Sequence, residues 1–144
     1  MADLDRALQV ATEAHRGQKD RYGDPFILHP LRVMLRCRTD DERIVALLHD
    51  VVEKSERTLG DLNRDGFSSE VIAAVEGLTK REGEPYLDYI VRARENALAR
   101  AVKQADLQDH MDAILDRGPM RDTPERMARY RQGMRLLLKG RETN

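Results

Sequence analysis

A chain of 144 residues with 25 Lys and Arg against 26 Asp and Glu carries a formal charge of −1, which excludes the overall basic field needed to hold a long nucleic acid. Aromatic residues at 4%, no Trp, and charged residues at 35% suit short amphipathic helices better than a β-sandwich. The lone cysteine, Cys37, excludes an internal disulfide, the start Met1-Ala2-Asp3-Leu4-Asp5 has no leader pattern, and no window nears the ~20 apolar residues of a membrane span, so a soluble cytoplasmic protein of one domain, 1–144, is expected.

Leu4, Ala7, Leu8, Ala11 and Ala14 recur at helical spacing and predict a first helix ended by Gly17. A polar stretch follows, and Phe26-Ile27-Leu28 is placed in a loop or extended segment. Pro30 suits the first turn of a second helix that carries Leu31, Val33, Met34 and Leu35. Asp40-Asp41 resemble the N-cap of a third helix reaching about Glu53. Its run Ile44-Val45-Ala46-Leu47-Leu48 is apolar nearly all round, which predicts a central, buried helix.

Thr58-Leu59-Gly60-Asp61 reads as a capping box opening a short helix that ends by Gly66. Ser68 caps the next, with Val71, Ile72, Ala74, Val75 and Leu78 inward, and Gly83 to Pro85 break the chain. Tyr86 to Glu95 form a further helix, and Asn96 caps one with Leu98, Val102, Ala105 and Met111 inward. Gly118-Pro119 end it. Thr123-Pro124-Glu125 starts a final helix to about Lys139, and Gly140 to Asn144 are expected to fray. The prediction is an all-α helical bundle of about eight helices.

The chemistry concentrates where this pattern is most apolar. His49-Asp50 falls near the end of the buried helix, and a carboxylate there needs partners, because an unpaired buried charge is very costly. Glu53 lies four residues after His49 and three after Asp50, on neighbouring parts of one helix face. Asp106 sits in a second apolar helix, and His29 in Ile27-Leu28-His29-Pro30. Two His and two Asp on three segments can form a mixed N/O site suited to Mn²⁺, Fe²⁺ or Zn²⁺ rather than Ca²⁺. Spacing by itself leaves plainer roles open: a histidine in the core, or Asp106 as the salt-bridge partner of Lys103.

The order of these pieces is similar to that of the HD superfamily, specifically the hydrolase domain of RelA/SpoT stringent-response proteins and its small stand-alone forms. The resemblance rests on Ala14-His15-Arg16-Gly17-Gln18 and the stretch from Gly23-Asp24-Pro25 through His29-Pro30-Leu31-Arg32-Val33. It continues in Ala46-Leu47-Leu48-His49-Asp50-Val51-Val52-Glu53, Gly77-Leu78-Thr79-Lys80 and Val102-Lys103-Gln104-Ala105-Asp106. Together these cover roughly residues 4 to 112. The resemblance implies a compact HD-domain bundle that binds one divalent metal, Mn²⁺ first among the options. It implies removal of the 3′-pyrophosphate from guanosine tetra- and pentaphosphate (ppGpp, pppGpp).

The family's metal ligands fall on His29, His49, Asp50 and Asp106, and its water-activating carboxylate on Glu53. Its substrate-facing basic loop residue falls on Arg21, and its Lys near the last Asp on Lys103. Two positions depart. The family's Glu-Asp is Glu53-Lys54 here, and its Asn four residues after the last ligand is His110. Lys54 near the metal either weakens its binding or grips a substrate phosphate, which makes it a candidate for the catalytic machinery. His110 is a candidate phosphate contact, proton donor or further metal donor. The partner expected is a small nucleotide, with the oligomeric state open. The alternatives are an HD phosphatase of another nucleotide and a nucleotide-binding regulator that has lost turnover.

Overall fold

The most apolar stretch of the sequence forms the middle of the molecule. The computed structural model describes residues 1–118 and 122–139, and among these it contains nine helices and no strand, only one isolated bridge between Lys19 and Pro25. The helices are α1 (Leu4–Ala14), α2 (Leu28–Leu35), α3 (Asp40–Leu48), α4 (Val51–Lys54), α5 (Leu59–Arg64), α6 (Ser69–Gly77), α7 (Tyr86–Arg94), α8 (Ala97–Arg117) and α9 (Pro124–Leu138). Every residue from Ile44 to Leu48 of α3 is buried, and α1, α2, α6 and α8 pack around it. That is the arrangement expected of a helix apolar on all sides.

Short polar side chains start the helices. Asp3, Thr39, Ser68 and Asn96 each accept a hydrogen bond from a backbone N–H of the first turn of α1, α3, α6 and α8. Thr58 and Asp61 form the reciprocal capping box of α5. Pro124 opens α9. α7 and α9 approach closely because residue 133 is glycine: a Cβ there would lie 2.7 Å from the Tyr86 hydroxyl. No helix among the described residues is long and apolar enough to cross a membrane.

Three boundaries differ from the sequence reading. α2 begins at Leu28, so His29 lies inside its first turn rather than in a preceding loop. Thr39 is the N-cap of α3, and Asp40-Asp41 occupy its first turn, where carboxylates meet the positive end of the helix dipole. The third helix does not run unbroken to Glu53. It stops at Leu48, and Asp50 takes φ −103° and ψ −2° before α4 resumes. This bridge conformation is common at functional residues. Of the other expected features, Pro119 and the fraying tail from Gly140 to Asn144 lie outside the described residues.

Candidate metal centre

The break between α3 and α4 lets two consecutive side chains face the same point. His49 Nε2 lies 3.1 Å from Asp50 Oδ2 and 3.1 Å from Asp106 Oδ1 of α8. His29, from the first turn of α2, brings its Nε2 to 2.8 Å from Asp106 Oδ1 and 3.7 Å from Asp50 Oδ2. The four predicted ligands therefore meet in one place, and His29, His49 and Asp106 are buried. One donor atom from each of His29, His49 and Asp50 fits within a 4.8 Å span, as does one from each of His29, Asp106 and His110.

Both ligand histidines are oriented from behind. His49 Nδ1 donates to the Ala46 carbonyl, and His29 Nδ1 faces Asp109 Oδ2 at 2.8 Å. An acceptor at Nδ1 fixes the proton there and turns the Nε2 lone pair of the neutral ring toward the site. Asp109 is held in turn by Arg32, whose Nε and second guanidinium nitrogen donate at 2.9 and 3.1 Å. This donor set fits a first-row divalent ion: neutral imidazole nitrogens and carboxylate oxygens, converging and backed by hydrogen bonds.

Charge balance holds the buried carboxylates ionised among the imidazoles. Burial works to lower the imidazoles of His29 and His49, but their contacts with Asp50, Asp106 and Asp109 prevail and raise both above the usual histidine range. Burial works to raise Asp106, yet Lys103 and His110 hold it well below the usual carboxylate range. Asp50 is held low in the same way, by His49 first.

The remaining predicted residues take up distinct positions. Lys103 is buried, with Nζ 2.8 Å from Asp106 Oδ2 and 3.1 Å from the Tyr89 hydroxyl. It braces the carboxylate oxygen that the histidines leave free, which is the ion pair that the sequence left open. His110 sits one turn after Asp106, its Nε2 3.3 Å from Asp106 Oδ1 and its ring stacked on Tyr130 at 4.9 Å and 7°. Glu53 is exposed, and its Oε1 accepts the backbone N–H of Lys80. Lys54 is exposed with Nζ 5.2 Å from the Phe26 ring centroid, and among the described residues it meets no carboxylate within 4.0 Å. The Ala14–Gln18 segment supports it from below: His15 Nδ1 pairs with Gln18 Oε1, and Gln18 Nε2 donates to the Lys54 carbonyl. Arg21 reaches the site from the loop after α1 and pairs with Asp122 Oδ1 at 3.1 Å.

A cleft of about 560 Å³ opens above the ligands. Lys19, Arg21, Lys54, Lys80, Arg126 and Arg129 line it. Such a wall of cations above carboxylates and imidazoles favours a ligand with several negative charges. Sequence reasoning missed Asp109, although its i+3 spacing from Asp106 in an apolar helix was a usable signal. It also missed Asp122, Arg126 and Tyr130, which come from the far end of the chain.

Helical packing, converging His and Asp side chains and a cation-lined cleft define a helical domain with groups that could hold a divalent metal. A model of the HD domain family matches residues 7–114, and the chain belongs to that family. It is 37% identical over 142 residues to a GTP pyrophosphokinase of Streptomyces coelicolor, covering 90% of this chain and 16% of that protein. It is 32% identical over 124 residues to a guanosine-3′,5′-bis(diphosphate) 3′-pyrophosphohydrolase of Aquifex aeolicus, covering 78% of this chain and 18% of that protein. The chain thus spans under a fifth of the length of these relatives. A solved structure of a metazoan ortholog of SpoT that hydrolyses ppGpp superimposes with a TM-score of 0.76 at 25% identity, over 97% of this chain and 87% of that one.

Proposed function

We propose that this chain is a metal-dependent phosphohydrolase that removes the 3′-diphosphate of guanosine tetra- or pentaphosphate. The observation that carries the reading is the convergence of His29, His49, Asp50 and Asp106 beneath a cleft lined by cations. A solved relative that hydrolyses ppGpp, matched over nearly the whole length of both chains, supports the substrate class. Mn²⁺ is the proposed ion and the cytoplasm the proposed compartment. When bound, such an ion polarises a phosphoryl oxygen and makes a water molecule more acidic.

The chain's own groups supply the rest. Glu53, held through one oxygen by the Lys80 amide, takes the proton of the attacking water. Arg21 and the other cleft cations offset charge on the phosphates. Lys103 and Asp109 act as positioning residues, the first through Asp106 and the second through His29. Water adds at the phosphorus bonded to the ribose 3′ oxygen, that P–O bond breaks, and the departing 3′ oxygen takes up the proton that Glu53 collected, so that the products are pyrophosphate and GDP or GTP.

A second reading rests on Lys54, an exposed ammonium next to Glu53 that meets no carboxylate within 4.0 Å among the described residues. In that reading the chain acts on another nucleotide, or binds one without turning it over. Incubation with Mn²⁺ and a nucleotide panel decides between them. Pyrophosphate release from guanosine tetraphosphate, lost in Asp50→Ala, is expected. Release from a different nucleotide, or tight binding with no product, would favour the second reading.

A further inference from the structure

Three imidazoles approach the same carboxylate oxygen, and only two of them belong to the ligand set that the family resemblance implies. Nε2 of His29, His49 and His110 lie 2.8, 3.1 and 3.3 Å from Asp106 Oδ1. Around an octahedral ion with bonds of about 2.1 Å, neighbouring donors stand about 3 Å apart. The His110 contact has the length of such an edge, as the other two do.

We propose that His110 is a fifth protein donor, so that this chain holds its divalent ion with three imidazoles and two carboxylates. The proposal builds on the metal site described above. The donor atoms form two sets, His29 with His49 and Asp50, and His29 with Asp106 and His110, each within 4.8 Å. The two sets share His29, and His110 enters the second through Asp106, the carboxylate that His49 also approaches. His110 reaches it because it follows Asp106 by one turn of α8 and projects from the same face.

The His110 ring is also fixed before any ion arrives. One face lies parallel to Tyr130, a buried residue of α9, and the ring centroid of His29 is 4.5 Å away. A side chain that only filled this space would need the stack alone. The approach of Nε2 to Asp106 Oδ1 aims the ring nitrogen at a proposed ligand, as a direct His–carboxylate contact and shared ligation of one ion both require, and the titration below distinguishes the two. A fifth protein donor would leave the ion one fewer position for water or a phosphate oxygen than the four-ligand site implied by the resemblance.

Cobalt(II) titration of the full chain tests the assignment, because the visible absorption of Co²⁺ reports its donor set directly. His110→Phe keeps a ring to stack on Tyr130 and removes the donor nitrogen, and His110→Asn serves as a second variant should the first not fold. The expected result is one Co²⁺ per chain, an affinity at least tenfold weaker in either variant, and a displaced visible band. A band identical to wild type would overturn the fifth donor whatever the affinity, since a residue acting only through Asp106 leaves the donor set intact. Two Co²⁺ ions per chain would overturn it as well. Asp50→Ala separates the failures: Co²⁺ binding unchanged in that variant would sink the metal site as a whole. Loss there, with no effect at His110, removes only this proposal.

Discussion

Asp106 and Asp122 stand below the cleft and beside its rim, and each gathers several donors. Asp106 accepts from Lys103 through one oxygen and faces three imidazoles through the other. Asp122 accepts from Arg126 at 2.6 Å and from the Tyr22 hydroxyl at 2.6 Å, and pairs with Arg21. Both carboxylates are almost fully enclosed. The difference lies in the partners. An imidazole can release its proton and present a lone pair, so the partners of Asp106 can be exchanged for an ion. A guanidinium never gives up its charge, so Asp122 is committed to holding Arg21 and Arg126 in place. The floor gathers groups that could take up a cation, and the rim presents cations.

Substituting each carboxylate separates these two roles. The largest effect is expected for Asp106→Ala, which removes a donor and leaves the buried Lys103 ammonium without its counter-charge. Urea unfolding of the metal-free variant should show a loss of about 3–5 kcal/mol, and metal binding should disappear. Asp122→Asn should leave metal content unchanged while nucleotide affinity drops, as it should in Arg21→Ala, by roughly tenfold for a lost charge-assisted contact. Equal metal loss in Asp106 and Asp122 variants would break the comparison.

Lys54 sharpens it from the other side. An inward ammonium near the ion opposes metal binding by about 1–3 kcal/mol at an effective dielectric near 20. Lys54→Asp should therefore raise metal affinity and hydrolysis of guanosine tetraphosphate by roughly one to two powers of ten. A fall in hydrolysis with unchanged metal affinity would assign Lys54 to the rim, as a phosphate contact.

The smallest effect concerns the clasp beside the cleft. Arg92 donates to both Glu84 oxygens at 2.9 and 3.0 Å, and also to the Glu76 and Thr79 carbonyls. The Arg92 hydrogen bonds bring the Glu84 carboxyl down to about 2 from the usual 4.5. A depressed carboxylate contributes stability that is present above the unfolded value and lost as pH falls through the folded one. Glu84→Gln should thus cost about 1 kcal/mol at pH 7. Its stability should converge with that of wild type as pH falls from about 4.5 toward 2.

The residues that converge in the cluster were legible because they sit in short motifs with a fixed order: His29 before Pro30, His49-Asp50 after an apolar run, and Asp106 after Lys103. The helices were legible through Ser68, Asn96, the Thr58–Asp61 box and Thr123-Pro124, which mark starts in the sequence itself. The break at Asp50 was not, because the apolar pattern continues through Val51 and Val52 and a change in backbone angle leaves no mark on it. The roles of Asp122, Arg126 and Tyr130 were hidden for another reason. They meet Tyr22 and His110 through tertiary packing of α9, and the matched motifs end near residue 112.

The hydrogen bond from Tyr22 to Asp122 joins positions 100 residues apart. Contacts of such long sequence separation are slow to form, because a large loop must close before they are made. All the proposed metal donors lie between residues 29 and 110, whereas the rim needs α9. During synthesis all the proposed donors therefore emerge before α9, which brings the Tyr130 ring that His110 stacks on. A ribosome-bound chain exposing residues up to Arg117 carries every proposed metal donor, and the translation of α9 is the step that adds Arg126, Arg129 and Tyr130 to the cleft.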